Sequence, residues 1–226
     1  MKSTGMLSVL ILSAAVLHAG EGAASRLTEA AEVFSEVMGT PDKGIPQELL
    51  EKAQCVAIVP GLKKAAFGVG GEFGKGFVEC RRQGGTGWGA PAAVRVEGGS
   101  FGFQIGGSST DVVMLVMNKR GMERLMTSKF TLGADASVAA GPVGRTADAK
   151  TDAYMTAEIL AWSRSKGLFA GISLSGATLR NDLDGNKDLY GSRLTNKEVL
   201  SGDKEVPEAA RKLIAELDKH SMRKEN

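Results

Sequence analysis

From Cys55 to Cys80 the chain reads CVAIVPGLKKAAFGVGGEFGKGFVEC, apolar runs of a few residues cut repeatedly by glycine. Runs of that length, bounded by residues that bend or end a strand, predict β-structure. The reading divides this stretch into strands at 55–59, 65–70 and 74–81. The same pattern continues through 92–96, 101–105, 111–117, 131–139, 155–162 and 168–174. Alanine and glutamate at 155–162 fit a helix equally well. Lys119 to Ser128 interrupts the series with Met122, Leu125 and Met126 on one helical face. Many short strands at this spacing predict a strongly bent sheet or small barrel, mainly antiparallel. The load of 30 glycines fits bends, bulges and close backbone approach.

Helices flank the β-rich region. Leu27, Ala30, Ala31, Phe34, Val37 and Met38 recur at three- and four-residue spacing, opposite Glu29, Glu32 and Glu36. This predicts an amphipathic helix over 26–38, capped by Ser25 and ended by Gly39-Thr40-Pro41. Its acidic polar face would be repelled by anionic lipid, so packing on the sheet is expected. A short helix is expected over 46–53, with Pro46 at the tolerated first position. Helices over 195–200 and 206–219 and a frayed tail over 221–226 complete the chain. The fold expected is thus α+β, a β-rich single domain with a barrel-like sheet between N- and C-terminal helices.

The N-terminus carries Lys2, an apolar stretch from Met6 to Leu17 and small residues around Ala19 and Ala23. This reads as a signal peptide over 1–23, cleaved near 19–23, and predicts a periplasmic or secreted protein. The remaining organisation is expected as 24–46, amphipathic helix and linker; 47–191, the main domain; and 192–226, a helical segment and tail. With Lys2 removed, 27 basic residues face 26 acidic ones, against 28 and 26 in the full sequence. That balance supplies no global field for nucleic acid. Hydrophobic residues at 42% and charged residues at 24% are ordinary for a globular domain.

In an oxidising compartment Cys55 and Cys80 are expected to pair, with two buried thiols as the alternative. Two cysteines without companion histidines cannot fill a tetrahedral zinc site. His18 lies in the apparent leader and His220 near the polar tail, so most imidazole-dependent catalysis is excluded from the body. Gly98-Gly99-Ser100-Phe101-Gly102 matches the spacing of a serine nucleophile elbow, but the alternation of Phe101, Phe103 and Ile105 favours a hairpin-like turn. Gly70 to Gly76 fails both phosphate-loop patterns and is expected to be a turn with Lys75 at its tip. Asp182, Asp184, Asn186 and Asp188 resemble a calcium loop, but Gly185 is misplaced and the closing glutamate is absent, leaving a solvated acidic turn. Asp111 and Asp135 are the carboxylates that an enzyme reading would test first. No cofactor is expected.

Val56 to Gly71, followed by Phe73-Gly74-Lys75-Gly76, resembles the opening of the SYLF domain, also described as the fungal actin-binding domain family. Gly87 to Pro91, Gly98 to Gly107 and Asp111 to Asn118 resemble its middle. Leu132 to Arg145, Ser165 to Gly171 and Leu189-Tyr190-Gly191 resemble its second half. The resemblance covers about Gln47 to Gly191 and implies phosphoinositide and membrane binding, with actin binding in fungal members and no catalysis. Combined with the apparent leader, it predicts an exported bacterial binding module meeting an anionic lipid surface or an unknown envelope protein, with actin unlikely as a partner. Lys63, Lys64, Lys75 and Arg145 are the candidate headgroup ligands.

Overall fold

A computed structural model describes residues 22–40, 44–82, 84, 86–144, 154, 156–165, 168–201 and 204–221. Helix α1 (Ala23–Gly39) and the short α2 (Gln47–Lys52) lead into two very long strands, β1 (Cys55–Cys80) and β2 (Ala92–Val116). Then follow α3 (Lys119–Leu125), β3 (Lys129–Thr131), β4 (Val138–Ala140), β5 (Ile159–Ser165), β6 (Leu168–Gly171) and β7 (Thr178–Asn181). Helices α4 (Leu183–Tyr190), α5 (Asn196–Leu200) and α6 (Arg211–Ser221) close the described chain. The strands form one curled half-barrel in the order β3-β7-β2-β5-β4, with β1 on β2 and β6 on β5. Every pairing is antiparallel except β4 with β5.

The expected α+β, barrel-like architecture is therefore present, but its strands are fewer and longer. Residues read as three strands form β1 without a break, and a second set forms β2. Their register runs from Cys55 opposite Val116 to Val78 opposite Ala92, with irregularities between Val59 and Leu62 and between Phe67 and Val69. The glycines bend this ribbon without ending it. Gly70–Gly76 and Gly98–Gly102, expected as turns, both lie inside strands.

The bend brings β1 back onto itself. A Cβ at Gly76 would lie 2.0 Å from the Ile58 carbonyl oxygen, and one at Gly74 would lie 2.7 Å from the side chains of Val59 and Leu62. Only glycine permits that approach. The ends of β1 consequently meet: Arg81 N–H donates to the Gln54 carbonyl at 2.9 Å, and the Cys55 and Cys80 sulfurs are 2.05 Å apart, at disulfide distance.

Alternate residues of the sheet enter two cores, as the two-residue strand period requires. Val56, Ile58, Phe77, Val113, Leu115 and Trp162 pack with Leu27, Phe34, Leu50 and Leu213 beneath α1, α2 and α6. Cys55, Ala57, Val59, Val78, Val94, Val112 and Met114 fill the other side with Leu125, Leu132, Leu179 and Val199. Burial on both faces explains why the strands read as continuous apolar runs. The apolar face of α1 is spent on this packing, as its acidic polar face led us to expect.

Local departures have local causes. The strand expected over 131–139 is two three-residue strands around a turn at Gly133, whose φ is +83°. The acidic stretch 182–188 is not a solvated turn: it begins α4, where Asn186 accepts from Ala93 N–H at 2.7 Å and donates to the Leu194 carbonyl at 2.7 Å. At 155–162 the chain joins helical residues 154 and 156 to a strand starting at Ile159. Residues 1–21, which carry nearly all of the apparent leader, lie outside the described residues, as do Arg145 and 222–226 of the tail.

Candidate functional site

Where β1 bends, it meets the first turn of α1 and the outer side of α4. Arg26 and Glu29 of α1, Lys63, Phe73 and Lys75 of β1, and Asp184 and Asp188 of α4 surround a groove of about 480 Å³ whose floor includes Pro60, Gly61, Gly74 and Gly185. Gly61 makes the turn into the groove with φ +57° and donates its N–H to Asp111 Oδ1 at 2.9 Å. Asp111 Oδ2 is held in turn by Arg164 at 2.7 and 3.1 Å, and Arg164 also pairs with Glu36. Asp111 is thus an anchor for the bend. Asp135 accepts the Thr131 N–H at 2.7 Å and closes a turn. Both carboxylates are occupied by backbone geometry.

Of the basic residues singled out in the sequence, the fold brings Lys63 and Lys75 into one groove. Lys64, next along the strand, pairs with Glu72 at 2.9 Å outside it. Lys75 is not an exposed tip: its ammonium lies 2.9 Å from Asp182, whose side chain is 2% exposed. Lys63 is exposed and enters none of the described ion pairs. Three cations in the groove, Arg26, Lys63 and Lys75, face three carboxylates, Glu29, Asp184 and Asp188. Phe73 stands on the rim at 47% exposure.

The sequence reading missed the acidic wall and Phe73. The wall became visible only when Gly185 was placed at the foot of a helix, where a Cβ would lie 2.8 Å from that of Ala93. Phe73 had a signal: it is a large aromatic residue set among glycines at 70, 71, 74 and 76. Among the described residues no group of three or more histidine, cysteine, aspartate or glutamate side chains is arranged to hold a metal ion. No described helix is long and apolar enough to cross a membrane.

Charges of both signs thus surround an exposed phenyl ring at this groove of the curled sheet. Residues 97–220 match the family model described as "Ysc84: Las17-binding protein actin regulator". The chain belongs to this Ysc84 family, the SYLF-domain family that its motifs resemble. Protein YSC84 of Saccharomyces cerevisiae is 35% identical over 191 residues, 83% of this chain and 40% of that protein. LAS seventeen-binding protein 3 of the same yeast gives 35% over 191 residues, 83% and 41%. Human SH3 domain-containing YSC84-like protein 1 is 34% identical over 205 residues, 90% of this chain and 59% of that protein. The chain spans about half the length of the curated relatives it matches.

These relatives are named for binding and for SH3 domains, and none of these names describes a reaction. They also correct two expectations. A bacterial, periplasmic or secreted protein does not fit relatives from yeast and animals that carry such names. The expectation that actin is unlikely as a partner, which rested on export, falls with it, because the matching family is described as an actin regulator.

Proposed function

We propose that the chain is a non-catalytic docking module of an actin-regulatory assembly, and that it meets a protein partner through the groove beside Lys63, Phe73 and Lys75. The observation that carries this reading is the groove itself. An exposed aromatic anchor beside opposed charges suits a protein surface, where aromatic residues supply binding energy and charges fix register. Charges of both signs line the groove, Lys75 being engaged by Asp182 and Asp184 by Arg193, with the exposed Lys63 and Phe73 the groups that a partner would meet.

The family description supplies the partners to test: actin filaments and Las17. In co-sedimentation with filaments and capture by immobilised Las17, the Phe73→Ser/Lys63→Glu double variant is expected to bind about tenfold more weakly in at least one assay. Undiminished binding in both would overturn the groove as the site.

A second reading assigns anionic headgroup binding to Lys63, Lys64, Lys75 and Arg145. It is supported by the exposure of Lys63 outside the described ion pairs, and weakened by the carboxylates already beside Lys64 and Lys75. Salt-sensitive sedimentation with phosphatidylserine vesicles, lost in Lys63→Glu/Lys64→Glu, would favour it over the protein reading.

A further inference from the structure

A second cavity, of about 710 Å³, lies where the connection after β1 meets α6. It shares no lining residue with the groove described above. Its apolar wall is Ala90, Val206, Ile214 and Ala215; its charges are Arg82, Lys204 and Arg211 against Glu205 and Asp218. The volume falls in the range of sites that enclose a small ligand or a few peptide residues.

The cations at this cavity are solvent-exposed, and one carboxylate oxygen lacks the partner that burial ordinarily demands. Arg82 uses Nε to donate to the Trp88 carbonyl at 2.8 Å, and its side chain enters no described ion pair. Lys204 likewise enters no ion pair among the described residues, and Arg211 has only the exposed Glu208 at 2.9 Å. Asp218 Oδ1 is buried without a hydrogen-bond partner among the described residues. Burial pushes the Asp218 carboxyl above the ordinary aspartate range, against the pull of Arg81 and Arg82. Behind it, Glu79 is 1% exposed, with an equally unpartnered Oε1.

The platform is fixed. Trp88 Nε1 donates to Ser221 Oγ at 3.0 Å, Arg81 donates to the Ser221 carbonyl at 2.7 Å, and the Arg81 guanidinium stacks 4.2 Å from the Trp88 ring centre. These contacts hold the end of α6 against the start of the connection, so the cavity wall is preorganised.

We infer that this cavity is a second docking site, which receives an acidic side chain carried on an apolar segment of a protein partner. Arg82 and Lys204 meet the carboxylate, and Val206, Ile214 and Ala215 take the flanking apolar residue. The pattern of charge selects a discrete side chain over an anionic lipid surface. Glu205 lines the cavity beside these cations, so a flat anionic sheet would press against it, whereas an inserted carboxylate can be met by the cations alone.

The test uses the full chain and three fluorescein-labelled peptides, LDELF, its neutral counterpart LNQLF and its reversed counterpart LKRLF, followed by anisotropy. LDELF is expected to bind saturably and about tenfold more tightly than LNQLF, with LKRLF weakest. Lys204→Ala, at an exposed position that leaves Trp88 untouched, is expected to cost LDELF severalfold, and Arg82→Ala/Lys204→Ala more. Lys63→Glu/Phe73→Ser leaves this binding unchanged, which separates it from the groove reading. Equal binding of the three peptides, or LDELF binding that survives the Arg82/Lys204 variant, overturns the inference. So does displacement of LDELF by phosphatidylserine vesicles, together with vesicle binding that depends on Arg82 and Lys204.

Discussion

The two ends of the folded ribbon are built on opposite terms. At the closed end, Cys55 meets Cys80, Arg81 binds the carbonyls of Leu50, Ala53 and Ser221, and Trp88 is fully buried. At the bend, Lys63, Lys64, Gly71, Phe73, Gly99 and Gly107 to Ser109 face solvent. The same two strands run through both. Stability is thus concentrated where chain ends must be held, while the bend keeps groups such as Lys63 and Phe73 available for contact.

This contrast can be broken experimentally. The largest effect is expected from Cys55→Ala/Cys80→Ala, which opens a link spanning 25 residues. Loop-closure entropy for that length gives a loss of about 3 to 4 kcal/mol, read as a lower urea midpoint. A loss below about 1 kcal/mol would show that hydrogen bonds alone close the ribbon. Next comes a pair of alanine substitutions. Gly76→Ala puts a methyl 2.0 Å from a carbonyl oxygen and is expected to cost about 1 to 3 kcal/mol or more. Gly99→Ala, with open space around it, should stay within about 0.5 kcal/mol of wild type. Equal costs at both positions would erase the distinction between closed end and bend.

The smallest effect concerns pH. Burial, and then the nearby Asp218 carboxylate, hold the Glu79 carboxyl well above the ordinary glutamate value of 4.5. A folded-state pKa above the unfolded one means that stability is fully present below about 4.5 and is lost as pH rises toward the folded value. Asp218 acts in the same direction, while Arg81 and Arg82 oppose it and Tyr190 faces Glu79 from α4. His220 on α6, depressed by burial and by Lys219, works oppositely, losing stability as pH falls through its folded value. Glu79→Gln should therefore flatten the decline of the melting temperature above pH 4.5 and leave the acid limb of His220 in place. An unchanged profile would mean that the Glu79 carboxyl does not set the decline.

How much of this was legible in the sequence depends on range. The continuous apolar runs at 55–59 and 112–116, and the stripe from Leu27 to Met38, are local patterns, and they gave the class of fold and the packing of α1. Gly61, Gly74 and Gly76 were visible as breaks, but whether a glycine ends a strand or lets it touch itself depends on residues fifteen or eighteen positions away, such as Val59 against Gly74 and Ile58 against Gly76. Asp182 to Asp188 misled because Gly185 suggests a turn until Ala93 is set against it. The candidate lysines were divided by the same long-range closure: Asp182 and Glu72 reach Lys75 and Lys64, while Lys63 remains open to solvent. Family motifs carried identity across these gaps. The leader-like N-terminus led toward export, a direction the yeast and human relatives do not support.

The register of β1 with β2 also sets an order of assembly. Val78 pairs with Ala92, only 14 positions on (78 to 92), whereas Cys55 pairs with Val116 across 61 (55 to 116). Closing a short loop costs less entropy than closing a long one, so the ribbon zips from the Trp88 connection outward. Cys55 reaches the far end last and meets Cys80, which was placed first. Bond formation between them would therefore act as a clock stopped at the finish, timing completion of the whole ribbon.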